Sequence, residues 1–149
     1  MFKEKQKPGS YFIRDVEIRR STIHGLGVFA TKDLPEHYCV EVSPTIAFGR
    51  SILKEYMVEH ESRHILHDYV FMHKDGIALV ALGWASIYNH NHEPNAFWKY
   101  ESTGEDTYSI QIWTRKPIAA GEEVLIKYSP DSGMLWFDDG FVARKLSDV

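Results

Sequence analysis

Four segments of this chain carry side chains or backbone features that could do chemistry. The first is His24-Gly25-Leu26-Gly27-Val28-Phe29-Ala30, where two glycines two residues apart either make a simple turn or let backbone approach a ligand closely. The second is Asn89-His90-Asn91-His92-Glu93-Pro94-Asn95, a polar run whose Asn and Pro residues also favour turns. The third is Gly121-Glu122-Glu123-Val124-Leu125-Ile126-Lys127-Tyr128, which ends in a phenol at the end of an apolar run. A strand-end tyrosine is by itself an ordinary core-edge aromatic. The fourth, His60-Glu61-Ser62-Arg63-His64, fits H-E-x-x-H, in which two imidazoles one helical turn apart bind zinc and the glutamate serves as base. His67 stands nearby as a third imidazole. Against that reading, Glu59 and Arg63 put charges beside the would-be ligands, and no glycine turn with a further ligand follows. A polar helix face with several histidines is the favoured reading, because a five-residue pattern is short and matches by chance.

The elements that must carry these segments are mostly short strands. Val16 and Ile18 alternate with charged residues and predict a strand over 16–19. Gly25 and Gly27 mark a tight turn into a second strand over 28–30. Tyr38, Val40 and Val42 alternate in a third. A helix is expected over 51–66, with Ser51 as N-cap and Ile52, Leu53, Tyr56 and Met57 on one face. Strands over 69–72 and 77–82 flank the Asp75-Gly76 turn. A hairpin over 95–100 and 108–114 turns at Gly104, with Tyr108, Ile110 and Ile112 sharing a face. A last strand runs over 124–128. The opening residues, with Pro8-Gly9-Ser10, read as a frayed N-terminal arm over 1–15. The fold class is therefore mostly β with a short helical insert.

In this order and at these separations, the first three segments resemble the SET-domain protein lysine methyltransferases. The likeness spans 16–128. It is strongest to the minimal stand-alone members, such as the viral type, which share Ala81-Leu82-Gly83 leading into Asn89-His90 and Lys116-Pro117-Ile118-Ala119 leading into Gly121-Glu122-Glu123. The resemblance implies small curved sheets with a knot-like C-terminal crossing, in which the Asn89 segment threads beneath the chain near Tyr128. That is an exception to ordinary unthreaded connections. It further implies a C-terminal tail over 129–149 that packs across the active site. Family members often close the channel with a cysteine-rich zinc segment at that point. Here Met134, Leu135, Trp136, Phe137 and Phe141 offer an apolar substitute.

The activity so implied is methyl transfer from S-adenosylmethionine to the side-chain amine of a lysine in a protein, with a histone tail as the usual family substrate. Tyr128 would be the catalytic tyrosine. Backbone groups of His24, Gly25, Leu26 and Gly27 would hold the methionine end of the cofactor. Asn89 and His90 would meet its amino group and adenine edge, and Tyr69 would lie near both cofactor and channel. Tyr69, Tyr88, Trp98 and Trp136 would line the lysine channel, where aromatic walls suit a methylene stem and a cation. Leu26 departs from the aromatic residue common at its position. Backbone contact survives that change, but ring packing on the ligand does not. His92 falls at the surface of the site, and no metal is expected. The reaction is an in-line displacement that relies on positioning and electrostatics rather than acid–base machinery. A lysine of ordinary pKa near ~10.4 loses its proton more readily in an apolar channel beside a sulfonium, because both disfavour a second positive charge.

Composition fits this picture. A chain of 149 residues forms one domain. With 44% apolar residues, including four Trp, eight Tyr and eight Phe, it can build a core. No apolar run reaches the ~20 residues of a membrane span, and the start lacks a signal-peptide core. The single cysteine, Cys39, excludes an intramolecular disulfide and a cysteine zinc cluster. These features suggest an intracellular protein, in the nucleus or on chromatin if its substrate is a histone. A net charge of −4 disfavours nucleic acid as the main partner and suits a cationic peptide better. A homodimer is expected, since small cores gain from association and the similar viral class is dimeric. Two other functional classes stand beside this one. One is a zinc-dependent hydrolase built on His60, Glu61 and His64. The other is a SET-like module that binds peptide without turnover, against which Asn89, His90 and Tyr128 argue.

Overall fold

The computed structural model describes residues 10–61, 69–73, 76–105 and 107–128. Among them are ten strands and one helix: β1 (Phe12–Ile13), β2 (Val16–Arg20), β3 (Leu26–Ala30), β4 (Cys39–Gly49), α1 (Ser51–His60), β5 (Val70–His73), β6 (Ile77–Ala81), β7 (Asn89–His90), β8 (Ala96–Gly104), β9 (Thr107–Thr114) and β10 (Leu125–Ile126). The mostly-β expectation with a short helical insert holds. Within the segment read as an arm, β1 pairs antiparallel with β4, so the chain is tied to the sheet before residue 16. The expected tail, with Trp136, lies outside the described residues, as does His64.

The largest sheet runs β5-β6-β4-β9-β8, with β1 attached to β4. Its spine is β4, eleven residues long where the alternation of Tyr38, Val40 and Val42 suggested a short strand. Pro44 explains how one strand serves two neighbours. It has no N–H to donate to a ladder, and β4 changes partners there: Cys39 to Pro44 pair with β9, and Thr45 to Gly49 with β6. The expected alternation also fails. Cys39, Val40, Glu41, Val42 and Ser43 are all buried, because both faces of this half of β4 are covered.

The helix is shorter than predicted. It ends at His60, and Glu61 caps it in the left-handed region at φ 53°. Ser51 is the first helical residue; Arg50 holds the N-cap position without a side-chain capping bond. Of the expected apolar face, Ile52 is exposed and only Leu53 is buried, against Val70 and Ala78, with Phe48 and Val80 beside them. Because the helix stops at His60, His60 and Glu61 do not lie on a continuous helix leading toward residue 64.

Two small two-strand units hold the candidate site. In one, β2 pairs antiparallel with β3. The strand at Gly27 starts earlier than expected, so Gly27 lies inside β3 rather than in a turn. In the other, β10 pairs parallel with β7, setting Leu125 beside Asn89 and Ile126 beside His90. Segment 121–124 runs along β3: Ala30 N–H donates to the Glu122 carbonyl at 2.9 Å, and Val124 N–H to the Val28 carbonyl at 2.8 Å. The apolar side chains of these units join one core, in which Val28, Tyr88, Ile110, Ile112, Val124 and Ile126 have no exposed surface.

Candidate active site

Parallel pairing of β7 with β10 brings the second and third motifs together, and the run of 121–124 along β3 adds the first. Asn89 joins all three. Its side-chain N–H groups donate to the carbonyls of His24 and Leu26, each at 3.1 Å, and to Glu123 Oε2 at 2.7 Å. Glu123 Oε1 in turn accepts from the Ser21 hydroxyl at 2.7 Å, and Ser21 Oγ accepts from Ile23 N–H at 2.9 Å. The Glu123 carboxylate therefore cross-links the loop before β3 to β7. A charge-assisted bond of this kind is about twice as strong as a neutral one.

Gly27 lies against this carboxylate. A Cβ there would sit 2.3 Å from Glu123 Oε2 and 3.1 Å from Asn89 Nδ2. The absence of a side chain at Gly27 leaves room for the Glu123 carboxylate. Gly25 differs: its φ is +48°, and nothing lies within 4 Å of where its Cβ would be. It supplies a left-handed turn, closed by Ser21 N–H donating to its carbonyl at 2.7 Å, beside open space. The side-chain N–H groups of Asn89 thus tie the loop before β3 and Glu123 to β7.

Asn95 locks the same segment from the other side. It donates to the Glu123 carbonyl and accepts from Leu125 N–H, both at 2.8 Å. The signal for it was the amide at the end of Asn89-x5-Asn95, inside a quoted motif but without an assigned role.

His90 is buried, and its Nδ1 accepts from Tyr128 N–H at 3.0 Å. That bond puts the acceptor lone pair at Nδ1. The His90 ring packs 4.9 Å from the Tyr128 ring and, edge-on, 4.8 Å from exposed His92. Tyr128 itself is part-buried. Its hydroxyl donates to the Tyr88 carbonyl at 3.3 Å. The phenol is thus aimed by one backbone acceptor at its tip and one imidazole at its own N–H.

The aromatics expected in the channel divide. Tyr69 is 43% exposed, and its carbonyl accepts from Ser86 Oγ at 2.8 Å, next to the turn that leads into Tyr88. Tyr88 is wholly buried, its hydroxyl donating to Glu41 Oε1 at 3.0 Å; it is an internal strut rather than a channel wall. Trp98 is buried edge-on to Phe71, and its Nε1–H donates to the Lys127 carbonyl at 3.1 Å. It braces the residue before Tyr128 from the core side.

Glu41, between Val40 and Val42, has no role assigned from the sequence. It is fully buried. Its carboxylate accepts from the Ser43 hydroxyl, from Tyr88, from Trp84 N–H at 2.8 Å and from the Ala85 N–H. Burial pushes the Glu41 carboxyl above the ordinary carboxylate range, against the pull of those donors. Burial, and next the charge of Glu41, push the Tyr88 phenol well up. The usable signal was Gly83: a Cβ there would lie 2.0 Å from Ser43 Oγ and 2.7 Å from Glu41 Oε2.

Among the described residues, no group of three or more His, Cys, Asp or Glu is placed to hold a metal ion, and no helix is long and apolar enough to cross a membrane.

The comparisons agree with the geometry. The model of the SET domain family matches residues 25–129. A histone-lysine N-methyltransferase of Schizosaccharomyces pombe, H3 lysine-37 specific, is 34% identical over 124 residues, covering 83% of this chain and 78% of that protein. One from Candida albicans, H3 lysine-36 specific, is 28% identical over 124 residues, or 78% of this chain but 14% of that protein. The crystal structure of a Plasmodium falciparum histone methyltransferase superposes with a TM-score of 0.61 at 24% identity, covering 80% of this chain and 97% of that one. This chain belongs to the SET-domain family. With the family comes its enzyme class, protein-lysine N-methyltransferase.

Proposed function

We propose that this enzyme transfers a methyl group from S-adenosylmethionine to a lysine side chain of a protein, with a histone tail as the substrate class, and that Tyr128 is its catalytic tyrosine. The observation that carries the reading is the convergence of Asn89, Glu123 and the backbone of His24 to Leu26 beside a Tyr128 aimed by Tyr88 and His90.

The chemistry of the donor set fits the cofactor. Four oxygen acceptors cluster here, the carbonyls of His24, Leu26 and Tyr88 and the Glu123 carboxylate, each also bonded within the protein, and Gly25 lies beside open space. Oxygen acceptors suit a ligand that carries an ammonium and a sulfonium. When bound, S-adenosylmethionine supplies an electrophilic methyl on a cationic sulfur.

The protein's part is placement. Tyr128 donates its proton to the Tyr88 carbonyl, so the phenol oxygen keeps its lone pairs in a fixed direction for an incoming amine or a polarised C–H. His90 holds the backbone end of the same residue. Trp98 holds the Lys127 carbonyl and keeps the strand end from drifting. Half-exposed Tyr69 offers an aromatic face at the edge of the turn into Tyr88, suited to the stem of a lysine. The relatives named for histone H3 support a histone tail, and with it a nuclear or chromatin location.

The test uses labelled methyl donor, a panel of histones and lysate protein, with wild type and Tyr128→Phe side by side. Wild type should label a lysine-containing substrate. The variant should lose about 10²-fold in turnover, as small misplacements at a reacting centre do, with little change in donor affinity. Full activity of Tyr128→Phe would falsify the catalytic role.

A further inference from the structure

Glu41 presents a physical puzzle. A carboxylate with no exposed surface is costly to keep. Among the described residues its partners are hydroxyls and backbone N–H groups, with no cation. A core position in a strand could be filled by an apolar side chain at lower cost. What the carboxylate does that valine could not is gather donors from two separate places. Ser43 lies on the same strand. Trp84, Ala85 and Tyr88 lie on the turn that ends at Asn89. Gly83 lets that turn descend onto the carboxylate, since any Cβ there would overlap Ser43 and Glu41.

Tyr88 carries the effect onward. Its ring is pinned at the hydroxyl by Glu41. Its carbonyl receives the Tyr128 hydroxyl, and its two successors, Asn89 and His90, form β7. One residue therefore links the buried carboxylate to the phenol at the site. We propose that Glu41 is a positioning residue for methyl transfer, setting through Tyr88 the place of the carbonyl that aims Tyr128. This rests on the assignment of Tyr128 made above. A phenol is protonated across the physiological range, so Tyr88 stays a donor to Glu41.

The experiment measures kcat, methyl-donor KM and melting temperature for Tyr88→Phe, Glu41→Asp, Tyr128→Phe and the double variant Tyr88→Phe/Tyr128→Phe. Leu53→Ala, in the separate cluster beneath α1, is the reference for a variant that is merely less stable. Tyr88→Phe keeps the ring and removes the hydroxyl that Glu41 holds. It should lower kcat about 10-fold, a partial form of the loss that misplacement causes, with donor KM within about twofold. Leu53→Ala should retain kcat below its melting temperature. In the double variant the Tyr88 change should add almost nothing, because its route runs through the missing Tyr128 hydroxyl. If Tyr88→Phe is not recovered folded, Glu41→Asp, which withdraws the carboxylate by one methylene, is judged by the same kcat-against-KM split. Unchanged kcat in the folded variant, or a full 10-fold loss added on top of Tyr128→Phe, overturns the proposal. Full activity of Tyr128→Phe alone fails the underlying assignment instead, so the two failures are distinguishable.

Discussion

Gly27→Ala is the perturbation whose outcome the structure constrains most tightly. The new Cβ would fall 2.3 Å from Glu123 Oε2 and 2.9 Å from Glu123 Cδ. Gly27 has an ordinary extended conformation within β3, so backbone strain is not the issue. The clash is with the end of a flexible side chain, and Glu123 can swing away. It then loses the Ser21 hydroxyl and the Asn89 N–H, each at 2.7 Å. Hydrogen bonds to a charged group contribute about 1.5–3 kcal/mol each. Glu123 is only half-buried and regains water, so the net loss should be about 2 kcal/mol rather than the sum. For a chain of this size that lowers the melting temperature by about 4–8 °C. Weaker methyl-donor binding by calorimetry should accompany it, since Asn89 and the His24–Leu26 backbone lose their common tie. The decisive measurement is a double-mutant cycle with Glu123→Ala. If the cost arises from the Glu123 clash, Gly27→Ala should be nearly neutral once Glu123 is truncated, giving a coupling of at least about 1 kcal/mol. Additive effects, or a neutral single variant, would refute the reasoning.

Three further outcomes can be measured. Asn89→Ala removes the N–H groups held by His24, Leu26 and Glu123, so both melting temperature and methyl-donor affinity should fall; unchanged calorimetric affinity would sink the cofactor assignment. The Tyr38 hydroxyl, then Lys32 and Arg14, hold the Asp15 carboxyl below its ordinary range, with burial opposing them. A depressed carboxylate contributes stability above its unfolded pKa and loses it as pH falls through the folded value. Melting of Asp15→Asn should therefore drop less than wild type between about pH 7 and about pH 3, by a small margin because the group is partly exposed. An equal or larger drop would contradict the shift. We also propose that the chain associates as a homodimer, since small cores gain from association; light scattering that gives a monomer mass at micromolar and higher concentration would overturn this.

Much of this protein was legible in order and type along the chain. The Gly25–Gly27 segment, Asn89-His90 and Gly121-Glu122-Glu123 with Tyr128 carry family likeness in residue identity, which needs no coordinates. The hairpin at Gly104 and the turn at Gly76 are local, and local chemistry dictates them: Gly76 takes a φ of +77°, which other residues rarely adopt. Other features came only from closure of the chain. Periodicity reports how a segment meets one neighbour, and β4 meets several. Val40 and Val42 alternate as a half-buried strand should, yet Glu41 between them is fully buried because a distant turn descends on it through Gly83. Gly27 reads as a turn glycine, and only the fold puts Glu123 in the volume its Cβ would need. Tyr88 reads as one more aromatic for a channel until its hydroxyl is found on a buried carboxylate. The sequence by itself determined the family. The tertiary structure decided which residues face each other, because hydrogen-bond partners and excluded volume are set by segments far apart in the chain.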